Sequence, residues 1–298
     1  MEEKAPIVLF TYNRLNSLKN CINSLKKNEF CDESKIYIFS DGSKNYSDKS
    51  KIKNIRKYIK KIKGFKKKII IQRKKNFGLA KNIIDGVTHV IKKEKKAIIL
   101  EDDLIVNNSF LKFMNNSLDK FKKNKKIWHI SGWNYNVKIK YNHDCYFTRG
   151  MNCWGWGTWH DRWKHYEKNP TKILKSWNAN KIKKFNFDNT INFYSQIKRN
   201  QNKQLDSWAI FWYAAIFTRN RLCLNPIKTL TQNLGVSKNA TNTKSIEDIF
   251  NSKINNNTIR SFQYPKKITE NKEIFKVIKK KIILNRYKRI LKKVLHFS

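Results

Sequence analysis

Three consecutive carboxylates, Glu101-Asp102-Asp103, follow the apolar run Ala97-Ile98-Ile99-Leu100 and precede Leu104-Ile105-Val106. Adjacent carboxylates repel and raise one another's pKa unless a cation sits among them. Oxygen-only ligands suit Mg²⁺ or Mn²⁺, ions that bridge to phosphate oxygens. The chemistry on offer is a divalent-metal and diphosphate site, with a solvated acidic turn as the plain alternative. A further acid, Asp206, opens the apolar stretch Ser207-Trp208-Ala209-Ile210-Phe211-Trp212. There it can cap a helix, or it can act as a general base, because apolar surroundings lift a carboxyl pKa.

Strands must hold these groups. Ile98–Leu100 shows no polar alternation, the pattern of a strand covered on both faces of an α/β sheet, so the acids fall at its carboxyl end. Ligands of open α/β sheets bind at that end. Pro6–Phe10 reads as a first strand and Thr11-Tyr12-Asn13-Arg14 as its turn, before a helix with Leu15, Leu18, Ile22 and Leu25 on one face. Arg14 in such a turn can meet phosphate or a base, or simply face solvent. Ile36–Phe39 forms a second strand ending at Ser40-Asp41-Gly42, where Asp41 either accepts from a ribose or base or makes an ordinary Asp-Gly turn. A lysine-rich helix over about 49–62, a strand at Lys68–Ile71, the turn Asn76-Phe77-Gly78 and a helix over about 79–93 lead to the acidic strand. Alternating strands and helices predict a mainly parallel sheet with right-handed crossovers.

Ser109 is placed to cap a helix to about residue 122, and Ile127–Ser131 reads as another strand before Gly132-Trp133-Asn134. Four of the nine tryptophans then fall at 154, 156, 159 and 163 among Gly155 and Gly157. Glycines that free the backbone between flat indoles suit stacking on sugars or bases. The alternative is a set of core aromatics with a Thr158/Asp161 capping box, the reading favoured for Trp159 and Trp163. Thr231–Val236 and Asn239–Thr243 read as polar loops. From about residue 262 the chain is Lys/Arg-rich, with Phe275, Ile278, Ile282, Ile283, Tyr287 and Ile290 at roughly helical spacing. Such a helix either lies on an anionic membrane face or packs on its own domain.

The 298 residues suffice for one substantial core. With 65 basic and 22 acidic residues the formal charge is +43. Lysine spread through the whole chain among Asn and Ile points to compositional bias more than to nucleic acid, and no homeodomain, RNP-type or zinc-finger signature is present. Five scattered cysteines without a C-x-x-C pair fit reduced thiols, and the histidines show no zinc spacing. There is no Walker loop, G-x-G-x-x-G or internal repeat. The acidic start lacks a signal peptide's basic flank, and Trp208–Phe217 is too short to span a bilayer, so a cytoplasmic protein is expected.

Taken in order, Thr11 to Arg14, Ser40-Asp41-Gly42, Leu100-Glu101-Asp102-Asp103-Leu104, Ile130 to Asn134, Gly155 to Gly157 and Asp206-Ser207-Trp208 resemble GT-A-fold glycosyltransferases. Specifically, the chain resembles the inverting N-acetylglucosaminyltransferase I family of the Golgi with its bacterial relatives. The resemblance covers about residues 6–245. It implies a GT-A, Rossmann-like fold: a mixed, mainly parallel sheet flanked by helices, with a basic helical C-terminal tail. Residues 1–130 would form the nucleotide-sugar half, 131–245 the acceptor-binding and catalytic half, and 246–298 the basic amphipathic segment. Thr11, Arg14, Asp41, Asn76, Glu101 and Asp102 would contact the donor, Asp41 at its base. Asp103 would be the one direct protein ligand of Mn²⁺ or Mg²⁺ on the donor diphosphate, Asp206 the catalytic base, and Trp133, Trp154 and Trp156 acceptor contacts.

The implied activity moves a sugar from a nucleotide-sugar, by default UDP-N-acetylglucosamine, to a glycan or lipid-linked glycan of bacterial surface polysaccharide or lipopolysaccharide. It would act at the inner face of the cytoplasmic membrane, in peripheral contact with anionic lipid and without nucleic acid. A sugar nucleotidyltransferase is the alternative, although such enzymes usually carry a glycine-rich first turn, absent here. Relatives often place a metal-binding His in the closing loop, where this chain has Asn239–Thr243, so no ligand is assigned there.

Overall fold

The computed structural model describes residues 3–235, 250, 252–254 and 257–295; the Asn239–Thr243 loop lies outside these. The first half alternates β1 (Ile7–Thr11), α1 (Leu15–Lys26), β2 (Lys35–Ser40), α2 (Tyr46–Lys61), β3 (Lys67–Gln72), α3 (Leu79–Glu94) and β4 (Lys96–Glu101). Next come β5 (Leu104–Val106), α4 (Phe110–Lys120), β6 (Ile127–Ser131), β7 (Cys145–Thr148), β8 (Trp156–Trp159) and α5 (His160–Trp163). Short helices follow, α6 (Pro170–Ser176), α7 (Ala179–Phe185) and α8 (Tyr194–Gln201), and then α9 (Ala209–Thr218), β9 (Leu222–Pro226), β10 (Thr231–Asn233) and α10 (Lys272–Leu295).

One eight-stranded sheet, in the order β3-β2-β1-β4-β8-β6-β9-β7, runs through both halves, and β5 and β10 form a small separate ribbon. The mixed α/β, mainly parallel architecture agrees with a GT-A, Rossmann-like fold. Six strands run one way; β8 and β7 run antiparallel to their neighbours. Unbroken apolar strands arise because both faces are covered. Ile7, Leu9, Ile36, Ile38, Ile98 and Leu100 pack toward α1, α2 and α4. The alternate residues Val8, Phe10, Tyr37, Phe39, Ala97 and Ile99 pack toward α3 and α9.

The tryptophan segment departs from its expected mobility. Trp156–Trp159 is a buried strand between β4 and β6, with Ile98 paired to Gly157 and Ile99 to Trp156. A Cβ on Gly157 would stand 2.9 Å from Met114 Cε and 3.1 Å from the Ala97 carbonyl, so glycine here permits close packing. No capping box forms. Thr158 Oγ1 donates to the Trp128 carbonyl (2.7 Å), and Trp159 itself stands at the N-cap of α5. Trp159 and Trp163 are core residues, as favoured, their indoles donating to Leu118 O (3.0 Å) and Thr88 Oγ1 (2.9 Å). Ser109 sits at the N-cap of α4 but its hydroxyl makes no cap; it accepts from Ile259 N (2.7 Å) instead.

His129 is fully buried on β6, stacked on Trp156 with centroids 5.4 Å apart. Trp212 Nε1 donates to its Nδ1 (3.2 Å), so Nε2 carries the proton toward Asn152 O (2.9 Å). Burial pushes its pKa down to about 3. A base whose folded-state pKa lies below its unfolded value of about 6.5 stabilises fully above that value and progressively less as pH falls. Between pH 7 and 5 the wild type is expected to lose about 2 kcal/mol more stability than His129→Gln, measured by urea denaturation. Parallel curves would assign the acid sensitivity elsewhere.

The basic tail docks in part. Ile274, Phe275, Ile278 and Ile282 of α10 are buried in a third, largely aromatic cluster with Phe187 and Tyr213. Asp188 clamps the helix, pairing with Lys279 (2.6 Å) and with Arg149 (3.0 and 3.1 Å).

Candidate active site

The parallel pairing of β1 and β4 aligns Phe10 with Glu101 and so brings the two turns that follow together. Asp102 N donates to Phe10 O (3.0 Å), turning the Asp102 side chain inward to 2% exposure. Its Oδ2 accepts from Thr11 Oγ1 (2.8 Å) and Tyr12 N (3.2 Å), and its Oδ1 from Arg14 Nη2 (3.1 Å). The same Nη2 reaches Asp103 Oδ2 (3.1 Å). Thr11, Arg14, Asp102 and Asp103, four of the residues singled out in the sequence, therefore form one knot, with Glu101 beside it.

Three carboxylates face one guanidinium. Burial, then the charges of Asp103 and Asp102, push the Glu101 carboxyl up to about 8, and burial lifts Asp102 to about 6 against the pull of Arg14. Surplus negative charge at a strand's carboxyl end is a setting that an added cation would relieve. Asp102 is committed to holding the β1 turn, whereas Asp103 lies at the mouth. We expect Asp102→Ala to lower stability by about 2 kcal/mol, because Thr11 Oγ1, Tyr12 N and Arg14 lose their shared acceptor while Arg14 keeps one face in water. An unchanged denaturation midpoint would refute that structural role.

The ribbon closes over this knot. β10 pairs antiparallel with β5, Asn233 opposite Leu104, and Leu234 N donates to the Asp103 carbonyl (2.8 Å). Gly235 thereby lies against the acids: a Cβ there would stand 2.4 Å from Asp103 Oδ2 and 3.0 Å from Arg14 Nη1. Its segment reads as a polar loop in the sequence, since a pairing between residues so far apart leaves no local signal.

Asp41 lies in a neighbouring cluster, its carboxylate engaged by the loops around it. Its Oδ1 accepts from Gly42 N and Phe77 N (both 2.8 Å), and its Oδ2 from Asn76 Nδ2 (3.2 Å) and Gly78 N (3.1 Å). Four donors saturate a carboxylate. Asp41 and Asn76 thus lock the loops after β2 and β3 together, so closely that a Cβ on Gly42 would stand 2.3 Å from the Lys75 carbonyl carbon. Asp48, also missed in the sequence, joins these loops to the β1 turn. It accepts from the Tyr12 hydroxyl and from Asn13 Nδ2 (2.8 Å), and those bonds hold it below the usual carboxylate range.

Asp206 is neither cap nor buried acid. Trp208 holds the N-cap of α9, and the Asp206 side chain is 63% exposed and ion-paired with Lys168. Its place follows from Trp208, which stacks on Trp156 (5.2 Å); Trp156 in turn pairs with Ile99, two residues before Glu101. The start of α9 is thus packed against the first residue of β8, beside the carboxyl end of β4. Cys153 is there too, its thiol pushed up to about 12 by burial and then by Glu101. Of the three tryptophans expected at the acceptor, Trp133 and Trp156 are 2% and 1% exposed and offer no free face. Trp154 alone is half-buried, edge-to-face on Trp133 at 5.0 Å.

Among the described residues, no three His, Cys, Asp or Glu side chains converge as a ready-made metal cage. The donor set fits an ion held by one carboxylate, Asp103, and completed by phosphate oxygens. No helix among the described residues is long and apolar enough to cross a membrane.

A family model described as "Glycosyl transferase family 2" matches residues 7–228. The S. aureus TarS 1-349 structure is similar to the chain at 12% identity and a TM-score of 0.44, over 78% of this chain and 60% of that one. Another S. aureus TarS structure matches at 17% identity and a TM-score of 0.33, over 47% of this chain and 24% of its own length, so the chain spans about a quarter of it. The mannosyltransferase PcManGT from Pyrobaculum calidifontis, solved with GDP-Man and Mn²⁺, matches at 8% identity and a TM-score of 0.38, over 73% and 69% of the two chains. No curated protein matches the chain.

Proposed function

The chain belongs to glycosyl transferase family 2, and on that premise we propose that this glycosyltransferase is inverting and metal-dependent. Its donor is a nucleotide-sugar, by default UDP-N-acetylglucosamine or a similar UDP-sugar. Its acceptor is a glycan or lipid-linked glycan of bacterial surface polysaccharide or lipopolysaccharide, met at the cytoplasmic face of the membrane. The observation that carries this reading is the knot of Arg14, Asp102 and Asp103 at the carboxyl ends of β1 and β4, covered by Gly235.

The locked loops around Asp41 and Asn76 form the wall for the nucleoside, and the β1 turn with Arg14 faces the diphosphate. Asp103 would hold Mn²⁺ or Mg²⁺, which when bound neutralises charge on the departing nucleoside diphosphate. Asp206 takes the proton of the acceptor hydroxyl. The acceptor oxygen then bonds to the anomeric carbon from the face opposite the leaving group, the bond from that carbon to the diphosphate oxygen breaks, and configuration inverts. Acceptor binding must free Asp206 from Lys168, and Trp154 is the aromatic face left to stack on the sugar.

The test is product analysis: purified protein with a sugar nucleotide and Mn²⁺, nucleoside diphosphate release followed by assay and the product anomer by NMR. An inverted anomer with stoichiometric diphosphate is the expected result. A retained anomer would end the inverting assignment, and pyrophosphate release from a nucleoside triphosphate would move the chain to nucleotidyl transfer.

A further inference from the structure

Helix α10 carries two apolar faces, and only one is used. Five of the eight large exposed hydrophobics among the described residues belong to it: Val277, Ile283, Leu284, Tyr287 and Ile290. At about 100° of rotation per residue they share one arc of about 140°, into which the exposed Lys276 and Lys280 also fall in the first turns, so the arc is purely apolar from Ile283 to Ile290. The buried residues Ile274, Phe275, Ile278 and Ile282 lie on the opposite side of the same helix. The unused face therefore looks away from the domain.

Charge says what covers that face. After Glu273 the chain holds nine Lys or Arg residues and no Asp or Glu. From Ile283 onward the exposed cations Arg286 and Lys288 fall just outside the apolar arc, one at each flank. Two copies meeting through this face would set these like charges against one another, whereas an anionic bilayer neutralises them while its acyl boundary takes the apolar side chains. We propose that the outward face of α10 is a docking surface for anionic phospholipid, with the helix lying in the plane of the interface and the catalytic domain standing on it. The helix lies beyond residues 7–228, so this surface is additional to the family-matched region, and it does not depend on which donor the enzyme uses.

The test is co-sedimentation of the full chain with vesicles of phosphatidylcholine alone, or of phosphatidylcholine with about one third phosphatidylglycerol. The comparison is with the combined variant Ile283→Gln, Leu284→Gln, Tyr287→Gln, Ile290→Gln. All four side chains are exposed, so the fold and soluble donor hydrolysis should be unchanged. The wild type is expected to bind the anionic vesicles at least roughly tenfold more tightly than the neutral ones, and the variant to lose roughly tenfold on the anionic vesicles. Equal binding by variant and wild type would overturn the proposal and assign adsorption to lysines elsewhere. Absence of wild-type binding would also overturn it, as would a wild-type dimer, dissociated by the variant, that binds no vesicles. Donor hydrolysis read in parallel separates failure here from failure of the proposed chemistry.

Discussion

Asp103→Asn should lower metal-stimulated donor turnover by about 10³-fold or more and leave the unliganded protein as stable as the wild type, or more so. The two effects have opposite origins. Asp103 is one of three carboxylates crowding one guanidinium, and its charge is among the causes holding the Glu101 carboxyl up at about 8. Removing that charge relieves repulsion, while Arg14 keeps its bond to Asp102. The same carboxylate is the one acid of the knot at its mouth rather than committed to the fold, so in the proposed chemistry its loss should fall on donor and metal. Steady-state turnover across a Mn²⁺ titration, with a denaturation curve beside it, reads both. A variant that unfolds more easily would make Asp103 a structural acid like Asp102, and one with full metal-dependent activity would remove it from the site.

Asp206→Asn should show the complementary pattern, a fall in kcat of about 10²- to 10⁴-fold with donor binding intact, because in the proposed chemistry only the proton acceptor is removed. Stability should hardly move. The Lys168 pair is exposed, and such pairs contribute less than about 1 kcal/mol. Transfer kinetics at saturating donor, together with Mn²⁺-dependent donor binding by calorimetry, make the distinction. Unchanged transfer would exclude Asp206 as the base, and a parallel loss of donor binding would place it at the donor instead.

What the residues disclosed before folding, and what they did not, follows from the range of the interactions. β1, β2 and β4 were legible because a strand covered on both faces must be an unbroken apolar run, and acids at its end then have a defined place. β8 was not: Trp156-Gly157-Thr158-Trp159 is short, and its glycine is required by Met114 and the β4 backbone, contacts invisible locally. Asp41 was found, but its saturation by the 76–78 turn depends on two loops meeting. Gly235 over Asp103 depends on β5 pairing with β10, and Asp206 is no cap because Trp208 holds the N-cap of α9. The two faces of α10 blurred into one loose periodicity because one face serves the domain and the other does not.

The most direct test of the metal and diphosphate site is a thermal-shift panel of UDP-, GDP- and dTDP-sugars, with and without Mn²⁺, on the wild type and Asp103→Asn. Mass action stabilises a protein by about 2.7 kcal/mol at ligand one hundred times its Kd, a shift of several degrees. One nucleotide-sugar should raise the midpoint of the wild type only when Mn²⁺ is present, and should fail to do so in Asp103→Asn. An equal shift with and without metal in both proteins, or no shift with any donor, would contradict a divalent-metal and diphosphate site at Glu101-Asp102-Asp103.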